Sequence, residues 1–203
     1  MKNKLAIYDF DDTLIRLQSA DDFVRFVYSK KKTIFGIFIF NTHKILKTLK
    51  LLPGVRSKKY LLFSLKGIKK QDLERISKEY FTTRIEKNLN KKLIAKLIED
   101  KKEYLIIIIS GGYSIYLKYF AEKYKVDYLI STEISFDKFS CKGKIDGLDC
   151  MGVNKLIFLK KHINLENFDL IKSKVYTDHF SDIFLCSLVG KPQIVSFGQD
   201  ITW

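Results

Sequence analysis

Short apolar runs alternate along the chain with longer segments in which apolar residues recur every three or four positions. The run from Leu5 to Tyr8 is short and has no helical spacing, so it predicts a buried strand. The run from Leu105 to Ile109 is apolar throughout and rich in β-branched residues, as is typical of central strands in parallel sheets. Further strands are predicted at 126–131, 174–177 and 193–197, with a hairpin at 133–147.

Helical spacing fills most of the segments between these runs. Helices are predicted from near 19 to 32 and at about 55–66, 71–81, 90–101, 113–124, 153–161 and 182–189. One strand, then a block of helices, then alternating strands and helices predict an α/β fold with a doubly wound parallel sheet. We expect residues 1–14 and 91–203 to form the α/β core and residues 15–90 to form an inserted α-helical module.

The helical module contains a run of apolar and aromatic residues from Thr33 to Phe40. It is too short to cross a hydrocarbon core, which takes about 17–25 residues. The turns that follow carry Lys44, Lys47 and Lys50. We expect this run to pack inside the module. The alternative is that a basic, aromatic-rich helix pair binds at a membrane interface.

The composition of the chain is typical of a folded globular protein. The 203 residues are 46% hydrophobic and 14% aromatic, which favours one folded core with a modest insertion and argues against disorder. Cys141, Cys150 and Cys186 lack Cys-x-x-Cys spacing, so neither a disulfide framework nor a zinc site is indicated. An acid at position 9 interrupts the chain before a signal-peptide apolar region can form, so we expect a cytoplasmic protein.

Positive charge is concentrated in the helical module. The chain has a net charge of +14, and residues 15–100 hold 21 Lys or Arg against 8 Asp or Glu. No acid occurs between Phe23 and Gln71. Such asymmetry points to an anionic partner or substrate, and a solvated lysine-rich surface is the alternative.

Polar residues stand at the ends of three predicted strands. Asp9, Ser110 and Asp178 each follow an apolar run directly or within one residue. In open α/β sheets, ligands bind beyond the carboxyl ends of the strands. We therefore expect these three side chains to contribute to one site.

The acidic cluster after the first strand carries the strongest chemical signal. On an extended backbone Asp9 and Asp11 point the same way. Two adjacent carboxylates are costly unless one is protonated or a cation lies between them. This pattern predicts a site built for chemistry; the alternative is an acidic turn in which Asp12 or Thr13 caps a helix.

Four segments, in order, resemble a known family. Residues 9–13 (Asp-Phe-Asp-Asp-Thr) resemble the nucleophile motif of the haloacid dehalogenase superfamily, which consists mainly of magnesium-dependent phosphatases. Residues 109–113 are similar to the second motif of its phosphoserine-phosphatase-like branch, Lys155 to the phosphate-binding lysine, and residues 176–182 to the acidic fourth motif. The resemblance implies a Rossmann-like core with a helical (C1-type) cap between the first two motifs, which the module at 15–90 fits.

The resemblance also implies a reaction, the Mg²⁺-dependent hydrolysis of a phosphomonoester. Mg²⁺ would be held by the carboxylates of Asp9 and Asp178 and the backbone carbonyl of Asp11. Asp9 would attack phosphorus and form an aspartyl-phosphate, while Asp11 would act as general acid and then as general base. The hydroxyl of Ser110 and the ammonium group of Lys155 would hold the phosphate oxygens.

Further residues receive supporting roles from the same resemblance. Thr13 would orient the preceding loop, and Asp182 would steady a metal-bound water or Lys155. Gly111 would let its backbone N–H approach the phosphate. The family assigns no role to the position of His179, which we interpret as a loop residue.

The substrate is less well defined, because two specificity positions depart from the family pattern. Gln18 stands near the position of a glutamate that reads the amine of phosphoserine, and Arg56, with Lys58 and Lys59, aligns loosely with an arginine that holds the substrate carboxylate. We therefore expect a small phosphorylated metabolite other than phosphoserine, such as a sugar, amino-acid-like or lipid-precursor phosphate. The alternatives are a phosphatase whose basic cap docks on nucleic acid or an anionic membrane, and a non-catalytic binding module; the oligomeric state is left open.

Overall fold

The computed structural model describes residues 3–51, 54–196 and 199–202, with side chains over 3–51 and 57–195. The strands are β1 (Leu5–Tyr8), β2 (Leu105–Tyr113), β3 (Tyr128–Thr132), β4 (Ile134–Phe136), β5 (Cys141–Ile145), β6 (Lys174–Thr177), β7 (Lys191–Ser196) and β8 (Gln199–Thr202). The α-helices are α1 (Ser19–Lys30), α2 (Ile34–Thr48), α3 (Gly54–Phe63), α4 (Lys70–Tyr80), α5 (Lys91–Asp100), α6 (Ser114–Tyr124), α7 (Val153–His162) and α8 (Ile183–Cys186).

The described strands form a central sheet and a separate hairpin. The sheet has the order β3-β2-β1-β6-β7-β8, in which neighbouring strands are parallel except that β8 is antiparallel to β7. β4 and β5 form the predicted antiparallel hairpin. The predicted α/β fold with a doubly wound parallel sheet is confirmed, and β1, the first strand in the sequence, lies in its middle between β2 and β6.

Both faces of the sheet are covered, which explains why β1 and the first five residues of β2 are apolar at every position. Ala6 and Tyr8 on β1 belong to one cluster of buried residues, whereas Leu5 and Ile7 belong to another. Successive side chains of a strand point to opposite faces, so each cluster receives every second residue. Helices α1, α4 and α6 contribute to the first cluster, and α7 and α8 contribute to the second.

Helices α1 to α4 lie between β1 and β2 in the chain, and aromatic side chains join them to the sheet region. The ring of Phe23 on α1 lies 5.3 Å from that of Tyr80 on α4 and 4.8 Å from that of Tyr116 on α6, centroid to centroid. The predicted limits of this module, 15–90, stay a prediction.

Several predicted element bounds need correction. β2 does not end at Ser110 but continues to Tyr113, because two glycines allow an irregular extended stretch in which the register shifts between Ser110 and Tyr113. The helix predicted to reach about 189 is only α8, preceded by a 3₁₀ turn at 180–182. Gly190, four residues after the end of α8, packs closely on the chain, since a Cβ at position 190 would lie 2.1 Å from the Ile171 carbonyl oxygen. Strand β8 was not predicted.

Helix α2 also differs from expectation. It buries only one side, and Ile34 and Phe38 from the apolar run are exposed to 91% and 64%. The prediction that this run packs inside the module is therefore right for one face and wrong for the other, because a helix presents its residues all round its axis. Within the described ranges, we find no helix with the length and apolar character needed to cross a membrane.

Candidate active site

The acidic loop after β1 is a tight turn held by its own backbone. The amide of Asp9 donates to the Tyr176 carbonyl at 2.9 Å, so the loop starts in register with β6. The carbonyl of Phe10 then accepts the amides of residues 13, 14 and 15. Asp12 takes a positive φ of 53°, which closes the turn. Because α1 begins only at Ser19, the alternative that Asp12 or Thr13 caps that helix is wrong.

Lys155 joins the first and last acidic segments of the cleft. Its ammonium nitrogen lies 2.6 Å from Asp9 Oδ1 and 2.6 Å from Asp182 Oδ2. Asp182 Oδ2 also accepts from the Thr177 hydroxyl at 2.8 Å. Burial alone would lower the pKa of Lys155, but the charges of Asp9 and Asp182 outweigh it and raise this pKa above its usual value. Lys155 is therefore held as a cation inside the protein.

Thr13 connects the carboxylates of Asp9 and Asp178. Its hydroxyl lies 3.2 Å from Asp9 Oδ2 and 3.2 Å from Asp178 Oδ1. Burial, and then repulsion from Asp9, raises the pKa of Asp178 to about 6. Thr13 thus contacts both acids directly, which goes beyond the predicted role of orienting the loop.

Asp11 points into the cleft beside Asp9. Its Oδ1 atom is buried, and no hydrogen-bond partner for it lies in the described part of the chain. Burial raises the pKa of Asp11 to about 7, hydrogen bonding by Ser19 opposes this, and the charge of Asp9 adds to it. An enclosed carboxyl with an unpartnered oxygen is available to exchange a proton with a ligand.

The extended end of β2 forms another wall of the cleft. The Ser110 hydroxyl is buried and accepts the Gly112 amide at 2.9 Å. The Gly111 carbonyl accepts the Thr132 hydroxyl at 3.0 Å and also the Lys58 ammonium group. These bonds fix the strand end that faces Asp9.

Most of the predicted site residues line a single cleft of about 490 Å³. Its lining includes these predicted residues: Asp9, Asp11, Gln18, Ser110, Gly111, Lys155, Asp178 and Asp182. Thr13 supports the cleft from behind through the two bonds described above. The side chain of Arg56 lies outside the described residues.

Several residues that line the cleft were not predicted from the sequence, and Lys58, in an adjoining cavity, was mentioned only as a loosely aligned neighbour of Arg56. Asp149, Met151 and Gly152 line the cleft just before α7, where only their closeness to Lys155 in the chain could have indicated them. Lys58 on α3 lines an adjoining cavity of about 270 Å³, which shares Asp11, Gln18, Gly111 and Met151 with the cleft. Lys58, a neighbour of Arg56 in the sequence, thus reaches the site.

His179 also lines the cleft, but its ring has a structural partner. Its Nδ1 atom accepts the Ser181 amide at 3.0 Å and so begins the 3₁₀ turn at 180–182. The interpretation of His179 as a loop residue fits this contact.

The charge balance of the cleft fits a bound cation. The ammonium group of Lys155 contacts two carboxylates, those of Asp9 and Asp182. The Thr13 hydroxyl lies between Asp9 and Asp178, and its single proton can be donated to only one of these two acids at a time. Carboxylate oxygens are ligands that Mg²⁺ prefers. Across the described ranges, no group of three or more His, Cys, Asp or Glu side chains forms a metal site; the predicted set uses two carboxylates and one backbone carbonyl.

The fold and the cleft define an α/β protein whose ligand site lies where parallel strands end. The family model of the haloacid dehalogenase-like hydrolases matches residues 6–186. The chain therefore belongs to the haloacid dehalogenase-like hydrolase family, as the resemblance of its motifs predicted. None of the curated protein sequences matches it.

Solved structures share this fold at low sequence identity. A protein of unknown function from Bordetella pertussis Tohama I has a TM-score of 0.79 and 18% identity over 95% of this chain and 89% of that chain. Phosphoserine phosphatase in its apo form has a TM-score of 0.64 and 18% identity, over 94% of this chain and 85% of that chain. A phospho-aspartyl intermediate analogue of phosphoserine phosphatase has a TM-score of 0.63 and 19% identity, over 95% of this chain and 86% of that chain. The likeness concerns the fold, which is that of the phosphoserine-phosphatase-like branch.

Proposed function

We propose that the protein is a Mg²⁺-dependent phosphatase that hydrolyses a small phosphomonoester through an aspartyl-phosphate at Asp9. The observation that carries this proposal is the meeting of Asp9, Asp11, Lys155 and Asp178 in one cleft, from well-separated parts of a hydrolase-family chain. The likeness to a phospho-aspartyl intermediate analogue of phosphoserine phosphatase supports the same route.

In the first step, a carboxylate oxygen of Asp9 attacks phosphorus while the bond from phosphorus to the ester oxygen breaks. Asp11 gives its proton to the departing alkoxide. In the second step, Asp11 takes a proton from water, the resulting hydroxide attacks phosphorus, and the bond to Asp9 breaks to release phosphate. Asp11 lines the cleft, and its Oδ1 atom has no hydrogen-bond partner in the described part of the chain, which supports this assignment.

The carboxylates of Asp9 and Asp178, with the backbone carbonyl of Asp11, would hold Mg²⁺. When bound, the ion neutralises negative charge on the phosphate and the nucleophile. Thr13 keeps the two carboxylates aligned through its hydroxyl. Lys155 balances the charge of Asp9 from the other side.

Phosphate oxygens would be bound by Ser110, Lys155 and the N–H of Gly111. Because the Ser110 oxygen accepts the Gly112 amide, its own proton can be donated, and no acceptor for that proton lies among the described residues. A side chain at position 111 would narrow this part of the cleft, since a Cβ there would lie 2.8 Å from the side chain of Met151, which also lines it. The rest of a small substrate would occupy the adjoining cavity, where Lys58 favours an anionic group.

The test is phosphate release from p-nitrophenyl phosphate by the purified protein, with Mg²⁺ and with a chelator. We expect turnover with Mg²⁺ and its loss on chelation. Asp9→Asn removes the nucleophile and should lower kcat at least about 1000-fold. Asp12→Asn is the matched control, because Asp12 does not line the cleft and asparagine tolerates the same positive φ.

Two results would contradict the proposal. One is unchanged turnover in Asp9→Asn, which excludes Asp9 as the nucleophile. The other is equal loss in Asp9→Asn and Asp12→Asn, which points to damage of the loop. A panel of sugar, amino-acid-like and glycerol phosphates then ranks the substrate classes by kcat/KM.

A further inference from the structure

A cluster of lysines forms where the hairpin of β4 and β5 pairs with the chain that follows α3. This chain runs antiparallel to β5, with Lys69 opposite Ser140. The Gly67 amide donates to the Cys141 carbonyl at 2.9 Å, and the Cys141 amide donates to the Ile68 carbonyl at 2.8 Å. These bonds join two lysine-rich segments that are far apart in the sequence.

Three of these lysines lie on the same side of the small sheet. Along β5, Lys142 and Lys144 are exposed and the residues directly before each of them are buried, because side chains of a strand alternate between its two faces. Residues opposite each other on antiparallel strands share a face, so Lys69 lies on the side of Ser140, which is also the side of Lys142. We call Lys69, Lys142 and Lys144 the basic face. Neighbouring positions on such a face are about 7 Å apart.

The hairpin is packed against the helical module, which gives the basic face a fixed shape. Gly143 has a φ of 68°, and a Cβ there would lie 3.0 Å from the Phe63 carbonyl oxygen at the end of α3. β5 therefore meets α3 at backbone distance. The Asp137 carboxylate holds the hairpin turn by accepting the amides of Phe139 and Ser140 at 2.8 and 2.6 Å.

The surroundings of the basic face carry an excess of positive charge. Residues 66–70 and 137–146 contain six lysines and two acids. One of these acids, Asp137, is engaged in its own turn. Asp72, the acid closest in sequence to Lys69, is paired with Lys31. Within the described ranges, none of the salt bridges involves a lysine of the basic face, so their charges are available to an external anion.

An exposed aromatic side chain lies in the hairpin turn beside these lysines. Phe139 is 78% exposed and directly follows Lys138. Its carbonyl accepts the Lys70 amide at 2.8 Å, which ties the turn to the same pairing. Among residues 66–70 and 137–146, all of which the structure describes, Phe139 is the one large apolar side chain that is exposed.

We propose that the basic face and the hairpin turn bind single-stranded nucleic acid. The three lysines contact backbone phosphates, and Phe139 stacks on an unpaired base. A lipid bilayer would match the charge, but one exposed aromatic side chain provides little apolar area for insertion. An acidic protein would also match the charge, but it lacks the regular supply of flat rings that a nucleic acid offers to Phe139.

The basic face is separate from the cleft, so the two can be tested independently. None of its three lysines lines the cleft or the adjoining cavity, and neither does Phe139. The proposal therefore goes beyond the proposed phosphatase activity and does not depend on it.

The experiment is a fluorescence-anisotropy titration of the full chain with a labelled oligothymidylate of about 20 nucleotides, which exceeds the usual site of one small domain. The oligonucleotide carries no terminal phosphate and a chelator is present, which keeps the cleft out of the measurement. We expect binding at low salt. The slope of log affinity against log salt should be near about −2, since each of three phosphate contacts on a single strand contributes about 0.7.

Variants separate the phosphate contacts from the stacking contact. Lys142→Gln/Lys144→Gln should weaken binding and reduce the magnitude of this slope by about 1.4. Phe139→Ser should weaken binding at least about fivefold without changing the slope, because it removes one stacked base but no charge. The matched control Lys160→Gln/Lys161→Gln removes two exposed lysines from α7 and should keep the wild-type slope. Thermal melting checks that each variant is folded.

Several results would overturn the proposal. One is a wild-type protein that does not bind the oligonucleotide at low salt. Another is equal weakening by Lys142→Gln/Lys144→Gln and Lys160→Gln/Lys161→Gln, which would show that only the net charge matters. Wild-type affinity in Phe139→Ser would exclude the stacking contact. Flotation with phosphatidylglycerol vesicles in the absence of oligonucleotide binding would assign the basic face to a lipid surface instead.

Discussion

The ammonium nitrogen of Lys155 lies 2.6 Å from Asp9 Oδ1, although 146 positions separate the two residues in the chain. The same nitrogen lies 2.6 Å from Asp182 Oδ2. The loop after β1 supplies Asp9, α7 supplies Lys155, and the turn after β6 supplies Asp182. The cleft therefore forms only when all three elements have packed on one sheet, and Lys155 is the contact by which they balance their charges.

Replacing Lys155 by methionine should destabilise the protein. Methionine keeps the length of the side chain but leaves Asp9 and Asp182 as unpaired buried carboxylates. Breaking such a buried pair costs about 3–5 kcal/mol. Urea unfolding with a chelator present measures the change in the free energy of unfolding.

The matched control for this substitution is Lys161→Met, on the exposed side of the same helix. Its free energy of unfolding should differ from wild type by less than about 0.5 kcal/mol. The double variant Lys155→Met/Asp182→Asn should recover part of the loss by removing one unpaired charge. Equal stability of Lys155→Met and Lys161→Met would contradict the prediction.

Asp100 at the end of α5 is the acceptor of a second buried network. It accepts the hydroxyls of Tyr8 and Tyr176 at 2.9 and 3.0 Å and the ammonium group of Lys174 at 2.9 Å. Asp100→Ala leaves these donors without their acceptor and should cost about 2–4 kcal/mol of unfolding free energy. Chemical denaturation tests this, with Glu99→Ala, an exposed neighbour, as a control expected near zero. A loss below about 1 kcal/mol in Asp100→Ala would mean that the network is not stabilising.

Adjacent glycines on β2 should differ in their tolerance of alanine. A Cβ at Gly112 would lie 2.8 Å from the Tyr116 hydroxyl and 3.0 Å from the Ser19 hydroxyl, which are bonded to each other at 2.7 Å. A Cβ at Gly111 would meet only the flexible side chain of Met151 within 3.4 Å. Gly112→Ala should therefore cost about 1–3 kcal/mol and Gly111→Ala clearly less, as measured by thermal or urea unfolding. A larger loss of stability in Gly111→Ala than in Gly112→Ala would contradict this prediction and would show that the Met151 side chain is more rigid than those of Tyr116 and Ser19.

His43 should make stability depend on pH. Burial lowers its pKa in the folded protein below the value of about 6.5 expected for an unfolded chain. The unfolded chain then binds more protons than the folded protein. The neutral ring therefore makes its full contribution to the free energy of unfolding above about pH 6.5, and this contribution is lost as pH falls through the pKa of the folded state. As pH falls below about 6.5, the free energy of unfolding should therefore decrease more steeply in wild type than in His43→Gln. Identical slopes of unfolding free energy against pH in the two proteins would contradict this.

The parts of the fold that follow from repeating patterns were predictable. β1 and the start of β2 are apolar on both faces because both are buried on both faces, and that environment leaves a continuous apolar run in the sequence. The position of Asp9 and Asp178 in one cleft was predictable for a related reason. An acid that directly follows a buried strand needs a partner or a ligand.

Other features depend on contacts that no local pattern encodes. The continuation of β2 past Ser110 depends on the pairing of Tyr113 with Thr132 in the neighbouring strand β3. The reach of Lys58 to Gly111 depends on how α3 packs over the core. A single lysine among many carries no local signal that it faces a cleft.

The central position of β1 has a consequence for biosynthesis. β1 is made before β2 and β6, the strands that flank it, so both of its edges stay unpaired until residues 105–113 and 174–177 have been translated. An apolar strand with open edges is prone to aggregate or to bind chaperones. We therefore expect ribosome-bound chains that stop short of Lys174 to need chaperone protection. The contacts of Lys155 with Asp9 and Asp182 can form only after Asp182 has been translated.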